Sequence, residues 1–202
     1  MSKTIYYLGA GASYGKRDES GGIQEGIPIV SEIPSRFNAF RESISSVSIP
    51  ERIMYLWDWF SSEPVEVKQF QKRLIEDIDS VIVGIQEHAT IDTYARKLYL
   101  TQNKRSFEKL KDVLCAFFLW EQIEHKPDNR YDTFLANVLE MPQLNLPHDI
   151  SILSWNYDSQ IEHAYRSYGT GNGLIVYEKN TKGKWPGITD NGRIIKLNGR
   201  AS

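Results

Sequence analysis

Ile5-Tyr6-Tyr7-Leu8-Gly9-Ala10-Gly11-Ala12-Ser13 decides how the rest of the chain is read. An unbroken apolar run closed by glycines is the pattern of a short buried strand that feeds a glycine-rich turn. A nucleotide-binding βα unit begins in this way, because residues without a Cβ let backbone N–H groups approach a pyrophosphate, and Gly9 and Gly11 sit where that approach is needed. The spacing is not G-x-G-x-x-G: Tyr14 takes the third glycine position, and no clear ribose-binding acid follows at about 20 residues. A tight turn in any α/β protein accounts for the same glycines.

Downstream, Tyr14 to Gly26 is polar and glycine-rich, which predicts an exposed, mobile loop. Ser31 and Pro34 mark the start of a helix that runs to about Ile44. From about residue 50 to 141 the apolar spacing is helical. Pro50 starts a segment with Met54, Tyr55, Trp57 and Phe60; Phe70, Leu74, Ile75 and Ile78 share a second face; Thr90 caps a short helix, and Ser106 begins a long one through Phe118. Strand signals are nearly absent from this stretch. It reads as a helical insertion in an α/β frame.

After His148-Asp149, Ile150, Ile152 and Leu153 form a short strand that ends at Ser154-Trp155-Asn156-Tyr157-Asp158, followed by a helix with Ile161, Ala164 and Tyr165 on one face. Leu174 to Tyr177, the turn-rich stretch Asn180 to Gly192 and the strand Arg193 to Leu197 complete the order. Strand, helices, strand, helix, strand predicts a Rossmann-like α/β fold with a mostly parallel sheet, a large helical insertion and a single domain across residues 1–202.

Composition narrows the function. With 24 basic and 26 acidic residues, a net charge of -2 and no basic block, the chain does not read as a nucleic-acid binder. Cys115 is the one cysteine, which rules out an internal disulfide and a four-cysteine zinc site, so no metal is expected. No apolar run approaches the roughly 20 residues of a membrane span. Met1 to Ile5 turns at once into the first strand with no leader pattern, so a cytoplasmic protein is expected.

Asn156 and Asp158 follow an apolar strand, which in an open α/β sheet is the carboxyl edge where ligands bind. An asparagine there offers both a donor and an acceptor to a sugar hydroxyl or carboxamide, and an aspartate accepts from ribose hydroxyls. Capping of the next helix by Asp158 or Ser159 explains the same residues. His88, His125, His148 and His163 are scattered and read as surface or packing residues, although His163, on that helix, could approach the site.

Five motifs in order then connect these pieces: Leu8-Gly9-Ala10-Gly11-Ala12-Ser13, Gly26-Ile27-Pro28, Thr90-Ile91-Asp92-Thr93-Tyr94, Leu153-Ser154-Trp155-Asn156-Tyr157-Asp158 and Ile195-Lys196-Leu197-Asn198-Gly199. In these the chain resembles the sirtuin-like domains of bacterial NAD-consuming proteins, many of which serve in anti-phage defence. The resemblance implies an NAD site. Gly9, Ala10, Gly11, Ala12 and Ser13 would line the phosphates, with Ile27, Pro28, Asp92 and Gly199 completing the pocket. Asn156 and Asp158 would hold the ribose beside nicotinamide and position a water.

At the position of the family's catalytic histidine this chain carries Asn198. An amide has no usable basicity near neutral pH, although it can keep a hydrogen bond. The family's domain also continues for several strands beyond this point, so the resemblance implies an incomplete frame whose last strand would be an unpaired edge ending at Leu197. Zinc modules of protein-deacylating sirtuins need paired cysteines that are absent here, so the resemblance points to the NAD-hydrolysing branch. That branch releases nicotinamide and ADP-ribose and would act as a homo-oligomer or with a defence-system partner. The contrasting reading is a non-catalytic nucleotide-binding or interaction module.

Overall fold

Thr4–Leu8 forms the first strand, β1, and the chain then turns through a single 3-10 turn at Ala10–Ala12. The computed structural model describes residues 3–46, 67–168, 175–178 and 193–197. Further strands are β2 (Ile150–Ser154), β3 (Ile175–Glu178) and β4 (Arg193–Lys196). Among the described residues the helices are α1 (Ile33–Ser45), α2 (Val67–Gln86), α3 (Ile91–Leu100), α4 (Lys104–Glu124), α5 (Asn129–Val138) and α6 (Gln160–Arg166). The segment from Pro50 with Met54 to Phe60, and the turn-rich stretch from Asn180 to Gly192, lie outside the described residues.

All strand neighbours are parallel, in the order β1-β2-β4-β3. An α/β chain with a small parallel sheet is therefore what forms. One expectation is overturned: β4 is not an edge strand, because it pairs with β2 on one side and β3 on the other. The reason lies in the crossover. After β2 the chain passes through α6 and returns one strand-width further out as β3, which leaves an interior slot that the β-branched pair Ile194-Ile195 suits. Among the described residues the edges are β1 and β3.

Alternation along the strands sets which face is covered. Tyr6, Ile152 and Ile194 lie level with one another and with Val176. They pack with Tyr131 and Leu135 of α5 and with Ile161, Ala164 and Tyr165 of α6. Ile152 and Ile194 are fully buried, whereas Ile5 and Tyr7, on the opposite face of β1, are exposed.

The chain divides into two compact units, Met1–Ile27 with Glu124–Ala201, and Pro28–Ile123. α5, which falls inside the helical stretch read from the sequence, is thus part of the sheet unit. The second unit is helical and centred on Phe37, Phe40, Phe117 and Trp120; the Phe37 and Phe117 rings stand 4.8 Å apart. Thr90 caps α3 as expected, its hydroxyl accepting the Thr93 N–H at 3.1 Å. The long helix α4 starts at Lys104 instead of Ser106, because the Asn103 side chain takes the Ser106 N–H at 3.2 Å and so acts as the cap.

Residues 14–26 are more tied down than their composition suggests. Lys16 N–H donates to Glu25 O, Asp18 N–H to Gly22 O, and the Asp18 carboxylate accepts from the Ser20 and Gly22 amides. Arg17 lies over the Tyr14 ring and donates to the Tyr14, Glu25 and Ile27 carbonyls. The two ends of the loop touch through glycines with positive φ. A Cβ on Gly15 would fall 2.1 Å from Glu25 O, and one on Gly26 2.5 Å from Ser13 O, so both positions require glycine.

Candidate functional site

The strand register places the site. Leu8, Ser154 and Lys196, the last or near-last residues of β1, β2 and β4, lie side by side. Two bonds carry this pairing one step further: Trp155 N–H to Leu8 O at 2.9 Å and Leu197 N–H to Ser154 O at 2.8 Å. The glycine turn, the Asn156–Asp158 loop and the chain leading to Asn198 therefore leave the sheet at one carboxyl edge. Asn198 and Gly199 themselves lie outside the described residues.

Gly9, Ala10 and Gly11 are exposed, and a Cβ added at Gly9 or Gly11 would meet nothing within 4 Å. The space over this turn is open, as a cradle for a bulky polar group must be. Ala12 is half-buried. Ser13 faces inward at 1% exposure; its hydroxyl accepts from Asn156 Nδ2 at 2.8 Å and lies 2.8 Å from the Tyr131 hydroxyl. It is thus placed to orient Asn156, not to face the open side of the turn. Ile27 is buried and closes back on this turn, its N–H donating to Ser13 O at 2.8 Å. Pro28, also buried, is the first residue of the helical unit. Asp92 stands exposed in the first turn of α3, within that helical unit.

Asn156 and Asp158 are buried, while Trp155 and Tyr157 on either side are exposed, so the loop alternates like a strand beyond the end of β2. The Asp158 carboxylate accepts the Gln160 N–H at 3.0 Å. Capping of α6 is therefore real, and Asp158 performs it instead of Ser159, which makes no side-chain cap bond. One carboxylate oxygen is engaged in this way.

Several site residues escape a reading of the sequence. Asp128, 1% exposed, caps α5 by accepting the Arg130 N–H at 2.9 Å and also takes the Gly15 N–H at 2.8 Å. Arg130 pairs with the Asp128 carboxylate and donates to Gly11 O at 2.7 Å, tying the glycine turn to the helix start. Gln160 accepts the Asp128 N–H at 3.0 Å, so that cap is linked in turn to α6. Lys196, 1% exposed, donates to Asp158 O and stands 3.3 Å from Glu162 Oε1. Pro127-Asp128 ahead of the periodic Tyr131 and Leu135 was a readable cap signal, and a lysine two places after Ile194 on the covered face of a strand was another.

Burial governs the electrostatics. The Tyr131 phenol is held well above its usual range by desolvation and, secondarily, by the Asp158 charge, so it stays protonated as a hydrogen-bonding group. Burial also raises Glu162, against the opposing pull of Lys196. For Asp128, desolvation alone would raise the carboxyl, but the Arg130 side chain and the Arg130 and Gly15 amides together bring it below the usual range. His163 is lowered by desolvation and by Arg166, with Asp158 opposing. Among the described residues there is no group of three or more acidic, histidine or cysteine side chains placed to hold a metal, and no helix long and apolar enough to cross a membrane.

The Ser13 hydroxyl is the hinge of the inner network. Ser13→Ala leaves both Asn156 Nδ2 and the Tyr131 hydroxyl short of a partner in a buried setting, and should cost about 1–3 kcal/mol. Chemical denaturation checks this. A midpoint unchanged from the parent chain would mean that the two groups re-pair without it.

No protein-family model matches the chain, and the search of curated proteins finds no match.

Proposed function

We propose that this chain is a sirtuin-like NAD-binding domain of Rossmann-like fold, related in activity to the NAD glycohydrolases of bacterial anti-phage defence and impaired by Asn198. One observation carries the reading more than any other. The open glycine turn after β1 and the buried pair Asn156 and Asp158 after β2 leave adjacent parallel strands at the same edge, with β4 delivering the segment to Asn198 beside them. The resemblance in motifs expects that grouping.

In this reading Gly9 and Gly11 present backbone to the pyrophosphate, and Ser13 and Tyr131 fix the Asn156 amide with its donor engaged and its Oδ1 left as the acceptor for the ligand. Asp158 accepts from ribose hydroxyls. Hydrolysis breaks the bond between ribose C1′ and the nicotinamide nitrogen, a water oxygen bonds to C1′, and one proton is released. Nicotinamide and ADP-ribose are the products. A base at position 198 would collect that proton, and asparagine cannot. A homo-oligomer or a partner protein in a cytoplasmic defence system is the setting this activity suits, with no metal required.

Asn198 itself favours a second reading, a module that keeps the nucleotide site without the chemistry. The experiment that separates them is NAD binding by calorimetry together with nicotinamide release, on the chain as it stands and on Asn198→His. Binding by both with release only from Asn198→His supports the hydrolase reading. Binding without release from either favours the module, and absence of binding by both removes the NAD site.

A further inference from the structure

We infer that Lys196 is a positioning residue, whose buried ammonium clamps the Asp158 carbonyl and so holds the Asn156–Asp158 loop against the end of β4. Lys196 follows Ile194 by two on the covered face of the sheet, a place where an apolar side chain would complete the core without desolvating a charge. Its ion pair does little to justify its presence. Glu162 lies 3.3 Å away, and buried pairs of this kind are often replaced by apolar residues without loss of stability. What lysine does here that an apolar residue cannot is reach across from β4 and donate to Asp158 O.

The clamp has consequences beyond one carbonyl. Asp158 Oδ1 accepts the Gln160 N–H, Gln160 Oε1 accepts the Asp128 N–H, and Asp128 holds both Gly15 N–H and Arg130, which reaches Gly11 O. A continuous run of hydrogen bonds thus joins the end of β4 to the glycine turn, with Lys196 at its head. Fixing the Asp158 backbone fixes the direction of its carboxylate. The consequence for NAD rests on the reading of Asp158 as a ribose ligand; the clamp itself does not.

Two variants test it. Lys196→Met paired with Glu162→Leu removes the clamp and both buried charges together, so that folding is retained. Glu162→Gln keeps Lys196 and its bond to Asp158 O while removing the ion pair. Each is compared with the parent chain by thermal midpoint, amide hydrogen exchange and NAD calorimetry. In the double variant, exchange at the Gln160 amide, whose partner is Asp158 Oδ1, should accelerate about tenfold and the NAD Kd should rise about tenfold. The His163 amide, bonded to Ser159 O, serves as the internal reference and should hold. Glu162→Gln, which leaves the Lys196 ammonium without its counter-charge, should lower the thermal midpoint while Gln160 exchange, measured against His163, and the NAD Kd stay near the parent.

Unchanged Gln160 exchange in a folded double variant overturns the clamp. So does an equal loss in Glu162→Gln, or an NAD affinity that follows the thermal midpoint alone. Faster Gln160 exchange in a chain that does not bind NAD upholds the clamp and removes the NAD reading instead.

Discussion

Asn198→His is expected to raise nicotinamide release from NAD by about 10²- to 10⁴-fold, the range a positioned general base contributes. The two side chains are close in size and both can hydrogen-bond a ribose hydroxyl, so binding should change little. Only imidazole has a proton affinity matched to neutral pH, with an ordinary pKa of about 6.5. Release by the histidine variant should therefore fall as pH drops through that imidazole's pKa, because the base becomes protonated. Any residual release by the parent chain should lack that inflection. Steady-state rates at several pH values, with NAD affinity measured in parallel, separate a gain in kcat from a gain in binding. A histidine variant that binds NAD as the parent does and releases no more nicotinamide would place the chemical deficit elsewhere than at residue 198.

Much of the frame behind that prediction was legible in the sequence, for local reasons. Ile5 to Leu8 and Ile150 to Leu153 are apolar runs bounded by turn residues, and they form β1 and β2. The periodic faces Leu74–Ile78 and Ile161–Tyr165 lie within α2 and α6, and Ser31-Pro34 marks the start of α1 to within two residues. Short-range physics decides each of these. Strand order is different in kind, since β3 and β4 are separated by a turn-rich stretch and nothing local says which is interior. The expectation that Leu197 ends an unpaired edge failed there.

Side-chain partnerships across the fold were the least legible part. Ser13 is 143 residues from Asn156 and 118 from Tyr131, yet one hydroxyl serves both. The resemblance placed Ser13 among the phosphate ligands; its inward orientation depends on α5, which sequence pattern placed in the helical stretch and not under the sheet. Lys196 shows the converse case. Its charge within a short apolar strand was a readable signal that the sequence analysis passed over, and the carbonyl that it holds could not be named without the loop after β2.

Asp128→Ala is expected to cost about 2–4 kcal/mol of folding stability at neutral pH, from loss of a helix cap together with the amide and guanidinium partners it leaves behind. One carboxylate takes the Arg130 N–H of α5, the Gly15 N–H of the loop and the Arg130 side chain, so a single truncation loosens the helix start and the glycine turn together. The dependence on pH gives the sign. Asp128 is depressed in the folded state, so its electrostatic contribution is complete above the unfolded value of about 3.9 and is lost as pH falls through the folded value. Denaturation curves of parent and variant should accordingly be furthest apart at neutral pH and approach one another in acid. Asp128→Asn, which keeps an acceptor for the Arg130 amide without the charge, should fall between them. A gap between parent and Asp128→Ala that stays constant into acid would show that the carboxylate charge contributes nothing. Because the Arg130 guanidinium that donates to Gly11 O is paired with Asp128, NAD affinity at the proposed site should weaken in both variants, and more in Asp128→Ala.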